Sequence, residues 1–516
     1  MSFVTTVVQT VMWCCKRMKH SLTWSDRMES QITWIITTLA ISISLVFMFM
    51  KRSFSYWKRR NVPYLTPTIP FGNLENPITS NKPQFLYVRE FYEKFKKMRV
   101  QYGGVYIYTS PMFLTIDPKY NKEILIRNFQ YFHARGFYST KHQPVSENLF
   151  TKDGDKWSIL RTKFTPMFTP SKLKGMFDLM IEATKPMLKY ITEHHCKQIP
   201  LNAKNCATRF TTDVTATCVF GFESNSFVDE TLLKQLNEIL VKSTRLLRVL
   251  FCIALPKVAN FLRIPLLPPA ETDVVCRNLE ESVNYRTQNN IIKMDFLQLL
   301  IDIKNQHLIT LTELKAQCLL FLIGGYETTA ATISFMLLEL ANNEVIQEKL
   351  RTEFNEILSS YGGEILYEAV MEMKYLEMVL CETLRKYPAA PFLLRKCVKD
   401  FAINDITIEK DTNIVIPTIG LHYDPEYYPN PDVFDPERFS ETNKNKIVPF
   451  TYLPFGEGPR NCIGDRLGKQ QVKVAIISFI QKFKIKLNPQ VVLPLEYDTF
   501  MILAPKKDIL LDIELV

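Results

Sequence analysis

The longest apolar stretch of the chain lies near its beginning. Residues Ile32–Met50 carry no charge, and a helix of this length can cross a bilayer. A cluster of cations follows directly: Lys51, Arg52, Lys58, Arg59 and Arg60. Because positive residues stay on the cytosolic side, the pattern predicts a membrane anchor with the C-terminal part of the chain in the cytosol. The alternatives are a buried core helix, which rarely runs uncharged for so long, and a cleaved signal peptide, whose apolar region is shorter.

A second apolar stretch, Thr312–Leu340, differs from the first because polar residues interrupt its centre. A helix formed by this stretch would be hydrophobic on nearly all of its faces, which predicts that it lies in the core of the protein. Gly324 and Gly325 lie in its middle, and each costs about 1 kcal/mol of helix stability relative to alanine. Two glycines at this place therefore indicate a functional or packing requirement.

The rest of the pattern indicates one large folded unit. The chain has 516 residues, 47% of them hydrophobic, and neither a repeat nor a Gly/Ser-rich linker divides it after residue 80. Before that point, Pro63, Pro67 and Pro70 exclude a helix and predict a semi-rigid spacer. We expect an N-terminal extension at 1–31, an anchor at 32–50, a basic and proline-rich hinge at 51–80, and a catalytic domain at 81–516. Cations before residue 28 oppose the predicted orientation, which makes Met28 a candidate start of the chain.

Charge and cysteine content narrow the class of protein. The net charge of +10 fits a membrane surface or an acidic protein partner, and no zinc-finger, helix-turn-helix or RNA-binding signature points to nucleic acid. Eleven scattered cysteines without a CxxC pair indicate reduced thiols in a cytosol-facing protein. We expect most of them to be small buried hydrophobic residues: Cys196, Cys206, Cys218, Cys252, Cys276, Cys318, Cys381 and Cys397.

One cysteine, Cys462, stands in a different setting. It lies in the run PFGEGPRNCIG, where Phe455, Gly458, Arg460 and Gly464 surround it at fixed spacing. Glycines let the backbone approach a flat ring and present N–H groups to a sulfur, and an arginine fork fits a carboxylate. A single thiol in this setting suits a haem iron better than a disulfide or a zinc site. The alternative is a glycine-rich loop with an incidental buried cysteine.

This run resembles the haem-binding loop of the cytochrome P-450 superfamily, and further signatures of that family occur along the chain. The resemblance implies a mainly α-helical fold with a smaller β region, haem b ligated through iron by Cys462, and Phe455 packed beside the ring. The sequence GGYETT resembles the family's oxygen-activation motif, with Gly325 at a local opening of the helix near the cofactor. There Thr328 and Glu327 would relay protons; taken alone, Thr328 would rather bond to its own helix.

Two motifs match parts of the family's scaffold. In LCETLRKYP, Glu382 and Arg385 lie three positions apart on a predicted helix, where they can pair. With Arg438 of FDPERF they would form the buried network of one carboxylate and two guanidiniums that supports the haem pocket in the family.

Further arginines match positions that contact the haem propionates. Trp157 and Arg161 of DGDKWSILR fit a pattern in which both side chains reach a propionate. Arg395 of APFLLRKC and Arg135 of FHARGFY align with further propionate contacts, and Arg460 would join them. Each arginine alone would be read as a surface residue, whereas a group of cations suits two carboxylates.

The resemblance is especially close to the insect microsomal branch, whose members often oxidise plant toxins and insecticides. Tyr326 replaces a more usual phenylalanine, and no residue needed for the chemistry is lost. The resemblance implies a monooxygenase that inserts one atom of O2 into a lipophilic small molecule. Electrons would come from NADPH through NADPH–cytochrome P-450 reductase, with cytochrome b5 as a second partner. The protein would be a single-pass protein of the endoplasmic reticulum membrane, with its catalytic domain in the cytosol.

The same resemblance implies a substrate pocket and a docking face. The segments expected to line the pocket are Phe132–Asn148, Leu246–Pro269, Ala389–Leu394, and Phe500 with Met501. Lys163, Lys469 and Lys473 are candidate contacts for an acidic reductase, with simple solvation as the alternative.

Three other functions stay open at this point. The first is turnover of an endogenous lipid or hormone by the same chemistry. The second is an isomerase or dehydratase of the same fold, although such members typically lose the threonine that Thr328 supplies here. The third is a non-catalytic haem-binding protein.

Overall fold

The computed structural model describes residues 24–76, 79–80, 82–137, 139–140, 142–221, 224–240, 251–252, 255–293, 295–403, 406–498 and 502–516. Helices dominate, as the sequence predicted. In chain order they are α1 (Trp24–Ser53), α2 (Gln84–Lys97), α3 (Pro118–Lys122), α4 (Phe129–Phe132), α5 (Gly154–Phe164), α6 (Pro170–Gly175), α7 (Phe177–Lys197), α8 (Ala203–Thr215), α9 (Thr231–Leu240), α10 (Pro256–Phe261), α11 (Pro269–Gln288), α12 (Phe296–Asn305), α13 (Leu311–Asn342), α14 (Glu344–Ser359), α15 (Tyr367–Glu372), α16 (Lys374–Lys386), α17 (Thr418–His422) and α18 (Asp465–Lys482).

Short strands form three small sheets beside the helices. In chain order they are β1 (Tyr102–Ile107), β2 (Ser110–Thr115), β3 (Leu201–Asn202), β4 (Leu393–Lys396), β5 (Phe401–Ile403), β6 (Ile406–Ile408), β7 (Asn413–Ile416), β8 (Phe483–Leu487) and β9 (Leu510–Leu515). The sheets have the strand orders β1-β2-β7-β4, β3-β9-β8 and β5-β6. In the largest, β2 pairs with β7 in parallel with Met112 opposite Asn413, and β4 pairs with β7 antiparallel with Arg395 opposite Ile414.

Among the described residues, two helices are long and apolar enough to cross a membrane, and they differ in how far they are buried. The first span, Gln31–Arg60, begins within α1, and its most apolar part is not buried by the rest of the protein, which agrees with the predicted anchor. The second is α13, which lies mostly inside the protein and is therefore a core helix. Its first turn is fixed by a capping box, in which Thr310 and Glu313 each bond the other's backbone.

The segment after the anchor belongs to the folded unit rather than to a free spacer. Trp57 is almost fully buried in the core beside the first sheet, and its indole N–H donates to the carbonyl of Val105. The proline-rich part pairs with the same sheet, because Gly104 exchanges backbone hydrogen bonds with Pro63 and Leu65. The boundary expected at residue 80 therefore lies inside the folded unit.

The helix α13 passes through the largest core cluster without a break. The predicted local opening at its glycines is absent, since the whole segment is α-helical. A Cβ added at Gly325 would lie 3.3 Å from the hydroxyl of Thr215 on α8, so this glycine permits close packing of two helices. A Cβ at Gly324 would meet open space. Tyr326 is buried and donates to the side chain of Asn237 on α9, at 2.6 Å, a bond that phenylalanine would not make.

The cysteines mostly follow the prediction that they are buried. Among those described, Cys206, Cys218, Cys252, Cys276, Cys318 and Cys397 are buried and Cys381 is partly buried. Cys196 is exposed, contrary to expectation, because it lies near the C-terminal end of α7, where the helix leaves the core.

The predicted scaffold network is present, but its two arginines are unequal partners. Glu382 and Arg385 are completely buried and share two hydrogen bonds, of 2.7 and 2.8 Å. Arg385 also donates to the carbonyls of His422 and Pro431. Arg438 approaches Glu382 only to 3.4 Å and makes no hydrogen bond to it. The carboxylate therefore depends on Arg385 far more than on Arg438.

This inequality predicts different losses of stability. Arg385→Ala leaves Glu382 as a buried carboxylate without its fork and is expected to lower the free energy of unfolding by about 3–5 kcal/mol. Arg438→Ala removes a partly exposed contact and is expected to cost about 1 kcal/mol. Thermal unfolding of the two variants in detergent measures the difference between their losses of stability. If Arg385→Ala does not fold, Arg385→Lys is measured in its place. Equal losses for both arginines would contradict this reading of the network.

Candidate functional site

The loop that carries Cys462 is held in shape by its own backbone. The N–H of Cys462 donates to the carbonyl of Phe455 at 2.9 Å, and the N–H of Asn461 donates to that of Gly458 at 3.0 Å. Gly458 has a φ of +77°, and a Cβ there would lie 2.1 Å from the carbonyl oxygen of Leu125. No other residue fits at this position, so the glycine is required by packing and not only by the approach of a ligand.

The thiol of Cys462 lies in a recess. The residue is accessible to solvent, yet desolvation by the surrounding protein raises the pKa of the thiol. The backbone N–H of Gly464 and the guanidiniums of Arg135 and Arg161 lower that pKa, Asp465 raises it further, and the net pKa of the thiol lies above its ordinary value. Accessible sulfur that is also surrounded by donors and cations is the setting of a thiolate ligand. Among the described residues, no group of three or more His, Cys, Asp or Glu is arranged to hold a metal ion.

Arg460 clamps a segment that lies beside the loop in the folded protein. Its guanidinium is buried and donates to the backbone carbonyls of His133, Leu149 and Lys152 and to the carboxylate of Asp153. Most of its N–H groups are therefore already used. From the sequence, the guanidinium of Arg460 was expected to be free to bind a carboxylate. These hydrogen bonds could not be predicted, because their acceptors lie more than 300 positions earlier in the chain.

Two side chains of helix α5 contact the loop that carries Cys462. Trp157 is buried, and the guanidinium carbon of Arg460 lies 4.3 Å from its ring centroid. Arg161, one turn later, donates to the backbone and side-chain oxygens of Asn461, at 3.0 and 2.7 Å. The structure thus brings both predicted residues of this motif into contact with the Cys462 loop.

Arg135 and Arg395 complete a cluster of guanidiniums. Arg135 donates to the carbonyl of Arg460 at 2.8 Å, and Arg395 is buried on β4 with its Nε–H unpartnered. Desolvation and the other arginines lower the pKa of Arg135 to about 10 and the pKa values of Arg395 and Arg460 to about 9. Within the described part of the chain, the only carboxylate that contacts Arg460 is Asp153. The cluster holds more positive charge than nearby carboxylates balance, which fits a ligand with two negative charges.

The middle of α13 presents different groups on different faces. Gly324 is exposed within this buried helix, and Thr328, four positions later, is partly exposed on the same face. The Thr328 hydroxyl donates to the Gly324 carbonyl at 2.7 Å, the bond expected of an isolated threonine. Gly325, predicted to contact the cofactor, packs against α8 instead. Of the two glycines that the sequence singled out, Gly324 therefore lies on the open face, on the same side of the helix as Thr328.

Glu327 lies on a buried face of the same helix. Its side chain is 7% exposed, and its Oε1 atom is 3.8 Å from the Nζ atom of Lys204 on α8. Burial raises the pKa of Glu327, while Lys204 lowers it. The predicted acid is thus well buried, but it is turned toward α8.

Two of the lysines expected at a docking face make internal ion pairs. Lys473 is buried and lies 2.9 Å from Glu377, so it is not available to a partner. Lys469 pairs with the same carboxylate at 2.7 Å and remains partly exposed. Lys163 donates to the carbonyl of Leu308 and is also partly exposed.

Comparisons with known proteins agree with this arrangement. The profile of the family described as Cytochrome P450 matches residues 70–513. The chain is 34% identical to Cytochrome P450 6a2 of Drosophila melanogaster over 91% of this chain and 96% of that protein. It is 35% identical to Cytochrome P450 6k1 of Blattella germanica, over 90% and 93%, and 33% identical to Cytochrome P450 6A1 of Musca domestica, over 94% and 98%.

Haem b, the cofactor of this family, fits the residues of the site. Its two propionates match the unbalanced guanidiniums and the unpartnered Nε–H of Arg395. Its iron matches the accessible thiol of Cys462, since a cysteine thiolate is an established haem ligand.

The unpartnered guanidinium leads to a prediction about cofactor retention. Arg395→Met is expected to lose charge-assisted hydrogen bonds worth about 2 kcal/mol and to release haem at least tenfold faster. Transfer of haem to excess apomyoglobin measures the rate. The apoprotein of the variant should be no less stable than wild-type apoprotein, because an uncompensated buried charge has been removed.

Lys396→Met is the matched control. Lys396 is the next residue of β4, and its ammonium pairs with Asp411 instead of joining the cluster. Equal haem release from both variants would contradict a specific role for Arg395.

Proposed function

This chain belongs to the cytochrome P450 family and is a haem-dependent oxidoreductase of the monooxygenase type, and we propose that it oxidises lipophilic foreign compounds such as plant toxins and insecticides. The accessible Cys462 thiol within an unbalanced cluster of guanidiniums is the observation that carries the haem-thiolate assignment. The substrate class rests on the similarity to insect relatives and on the exposed apolar side chains near α10 (Pro256–Phe261).

Each residue of the site has a proposed part in holding the cofactor. Bound haem b supplies the redox centre at which one atom of O2 enters the substrate and the other leaves as water. Cys462 ligates the iron, and the backbone N–H of Gly464 stabilises the thiolate. Phe455 and Gly458 set the course of the loop. We assign the contacts with the propionates to the side chains of Arg135, Trp157, Arg161 and Arg395. Arg460 supports these side chains from a buried position.

We assign proton handling to Thr328 and Glu327. Thr328 shares a partly exposed face of α13 with Gly324, where small side chains leave space beside the hydroxyl. Glu327 precedes it and is a buried carboxyl whose pKa is raised by desolvation, which suits a group that exchanges a proton. Gly325 serves helix packing in this scheme.

The proposed location is the endoplasmic reticulum membrane, with the folded unit on the cytosolic side. The exposed apolar helix α1 and the cations that follow it support this arrangement. Near α10, Val258, Phe261 and Leu262 are also exposed, and Phe261 is 85% exposed. Apolar side chains this open to solvent favour contact with lipid and entry of lipophilic substrates from it. Of the segments expected to line the pocket, residues 138, 141, 246–250, 253, 254, 500 and 501 lie outside the described part of the chain.

The proposed electron donor is NADPH–cytochrome P450 reductase, with cytochrome b5 as a second partner. The net charge of +10 favours acidic partners. Lys163 and Lys469 remain candidates for this contact, whereas Lys473 is excluded by its burial.

A substrate screen tests the proposed class. The full-length protein is combined with the reductase in phospholipid vesicles and supplied with plant toxins, insecticides, fatty acids and steroids. NADPH-dependent oxidation of the foreign compounds supports the proposal. Oxidation of only endogenous lipids or steroids would replace it with a biosynthetic role, and product formed without NADPH would point to an isomerase or dehydratase.

The ligand assignment predicts a spectroscopic change. Cys462→Ser is expected to abolish the long-wavelength band of the reduced CO complex or to prevent haem binding, because serine supplies no thiolate. Cys381→Ser is a suitable control, since this partly buried cysteine lies on α16. A normal band in the Cys462 variant would overturn the assignment.

The proton assignment predicts a change in coupling. Thr328→Ala should bind haem and consume NADPH, but more of the electrons should appear as peroxide because a proton donor is lost. The ratio of product to NADPH, with an alkoxycoumarin as substrate, measures this. Thr332→Ala removes another hydroxyl that bonds within α13 and is the control. Unchanged coupling in the Thr328 variant would remove that residue from the scheme.

A further inference from the structure

A cavity of about 460 Å³ lies between the end of the proline-rich segment and α2. None of the residues that line it belongs to the site around Cys462. Apolar side chains form much of its wall: Leu65, Phe71 and Leu74 come from the segment, and Phe91 comes from α2. Its volume falls within the range of ligand-binding pockets, about 300–1,000 Å³.

The wall formed by residues 65–76 is held firmly against the first sheet. The backbone N–H of Asn73 donates to the carbonyl of Tyr106 at 2.8 Å, and its side-chain oxygen accepts from the N–H of Tyr106 at 2.7 Å. The Asn73 amide also donates to the carbonyl of Leu65 at 3.2 Å. Gly72 has a φ of +73°, and a Cβ there would lie 2.4 Å from the carbonyl oxygen of Tyr106. The cavity is therefore formed by fixed backbone and not by a loose loop.

The cavity lies close to the end of the anchor helix. Ser53, the last residue of α1, donates its hydroxyl to the carbonyl of Thr109 at 2.5 Å, in the turn between β1 and β2. The neighbouring Tyr108 donates its N–H to the carbonyl of Phe71, which lines the cavity. Ile69, two positions before Phe71, is 47% exposed. Lipid headgroups around the end of α1 are therefore within reach of the cavity.

Charges of both signs stand at the cavity. Glu75, Glu90 and Lys94 are among the residues that line it. Beside them, the ammonium of Lys82 lies 3.3 Å from Glu75 and 2.5 Å from Glu90. Two carboxylates and two ammonium groups balance, which suits a ligand that carries one charge of each sign. A carboxylate has about four acceptor sites, so these two can bind a second ammonium besides that of Lys82.

We propose that this cavity binds the headgroup of a zwitterionic phospholipid with a primary ammonium, such as phosphatidylethanolamine. The ammonium donates to Glu75 and Glu90, the phosphate accepts from Lys94, and the first part of the acyl chains packs on the apolar wall. Glu90 and Lys94 are four positions apart on α2, so their Cβ atoms lie about 5–6 Å apart on one face. This spacing suits two charges that only two carbons separate in the headgroup. The inference goes beyond the proposed function, since it involves neither haem nor substrate.

Native mass spectrometry of the full-length haem protein, freed of lipid in detergent, measures the binding. The bound fraction is followed as dioleoyl-phosphatidylethanolamine is added. Dioleoyl-phosphatidylcholine is expected to bind about tenfold more weakly, because its quaternary ammonium cannot donate a hydrogen bond. Glycerophosphoethanolamine, the same headgroup without acyl chains, is also expected to bind about tenfold more weakly, because it leaves the apolar wall uncovered.

Variants of α2 test the charges. Glu90→Gln and Lys94→Met are each expected to weaken the binding of dioleoyl-phosphatidylethanolamine about fivefold, because each removes one charge and keeps a side chain of similar size. Glu93→Gln and Lys97→Met are the matched controls on the same helix. Neither of these residues lines the cavity, and Glu93 pairs with Arg89. An unchanged reduced CO spectrum shows that each variant keeps its haem site.

The outcomes decide between this ligand and others. A preference for phosphatidylethanolamine that falls in the Glu90 and Lys94 variants and persists in both controls supports the proposal. Equal binding of phosphatidylcholine, or equal losses in the controls, would overturn it. Tighter binding of phosphatidylglycerol would also overturn it and would assign the surface to anionic lipid. Because no substrate is present, a failure of the proposed substrate class leaves this result unaffected.

Discussion

Positive charge gathered around the loop of Cys462 is the constraint on which the site depends. Arg135, Arg161, Arg395 and Arg460 form a connected group through their effects on pKa, and the carboxylates that act on this group are Asp153 and Asp465. Burial of several guanidiniums without matching anions costs free energy, which the protein recovers when a dianion binds. The same arrangement aligns the loop, since Arg460 clamps the segment around His133–Asp153 and Arg161 holds Asn461. Stability of the loop and affinity for haem are therefore two consequences of one cluster.

The second element of the site, α13, divides its polar residues between two faces. Gly324 and Thr328 occupy the open face, and Gly325 and Glu327 pack toward α8. Close contact with α8 requires the small residue at Gly325, where Thr215 fills the space that a side chain would need. This contact also brings Lys204 within reach of Glu327. A packing requirement between two helices thus sets the surroundings of the acid that we assign to proton transfer.

Sequence patterns predicted the parts of this protein that rest on local or cumulative signals. The anchor follows from an uncharged stretch and the cations after it, and the central helix follows from apolar residues on all sides. The Cys462 loop was recognisable because its glycines and arginine occur at fixed spacing, and Gly458 is indeed required by a positive φ and by the backbone of Leu125. The family comparisons confirm the fold and the cofactor that these motifs implied.

The direction of individual side chains was decided only by the tertiary structure. Sequence reasoning expected Arg460 to face a propionate, Gly325 to face the cofactor, and Lys473 to face a partner. The structure instead directs Arg460 to the carbonyls of a distant segment, Gly325 to Thr215, and Lys473 to Glu377. Charge and hydrophobicity along a chain determine which segments are buried and which residue types can carry the chemistry. The partner that each side chain meets depends on contacts between segments about 100 to 300 positions apart, and these exist only once the helices have packed.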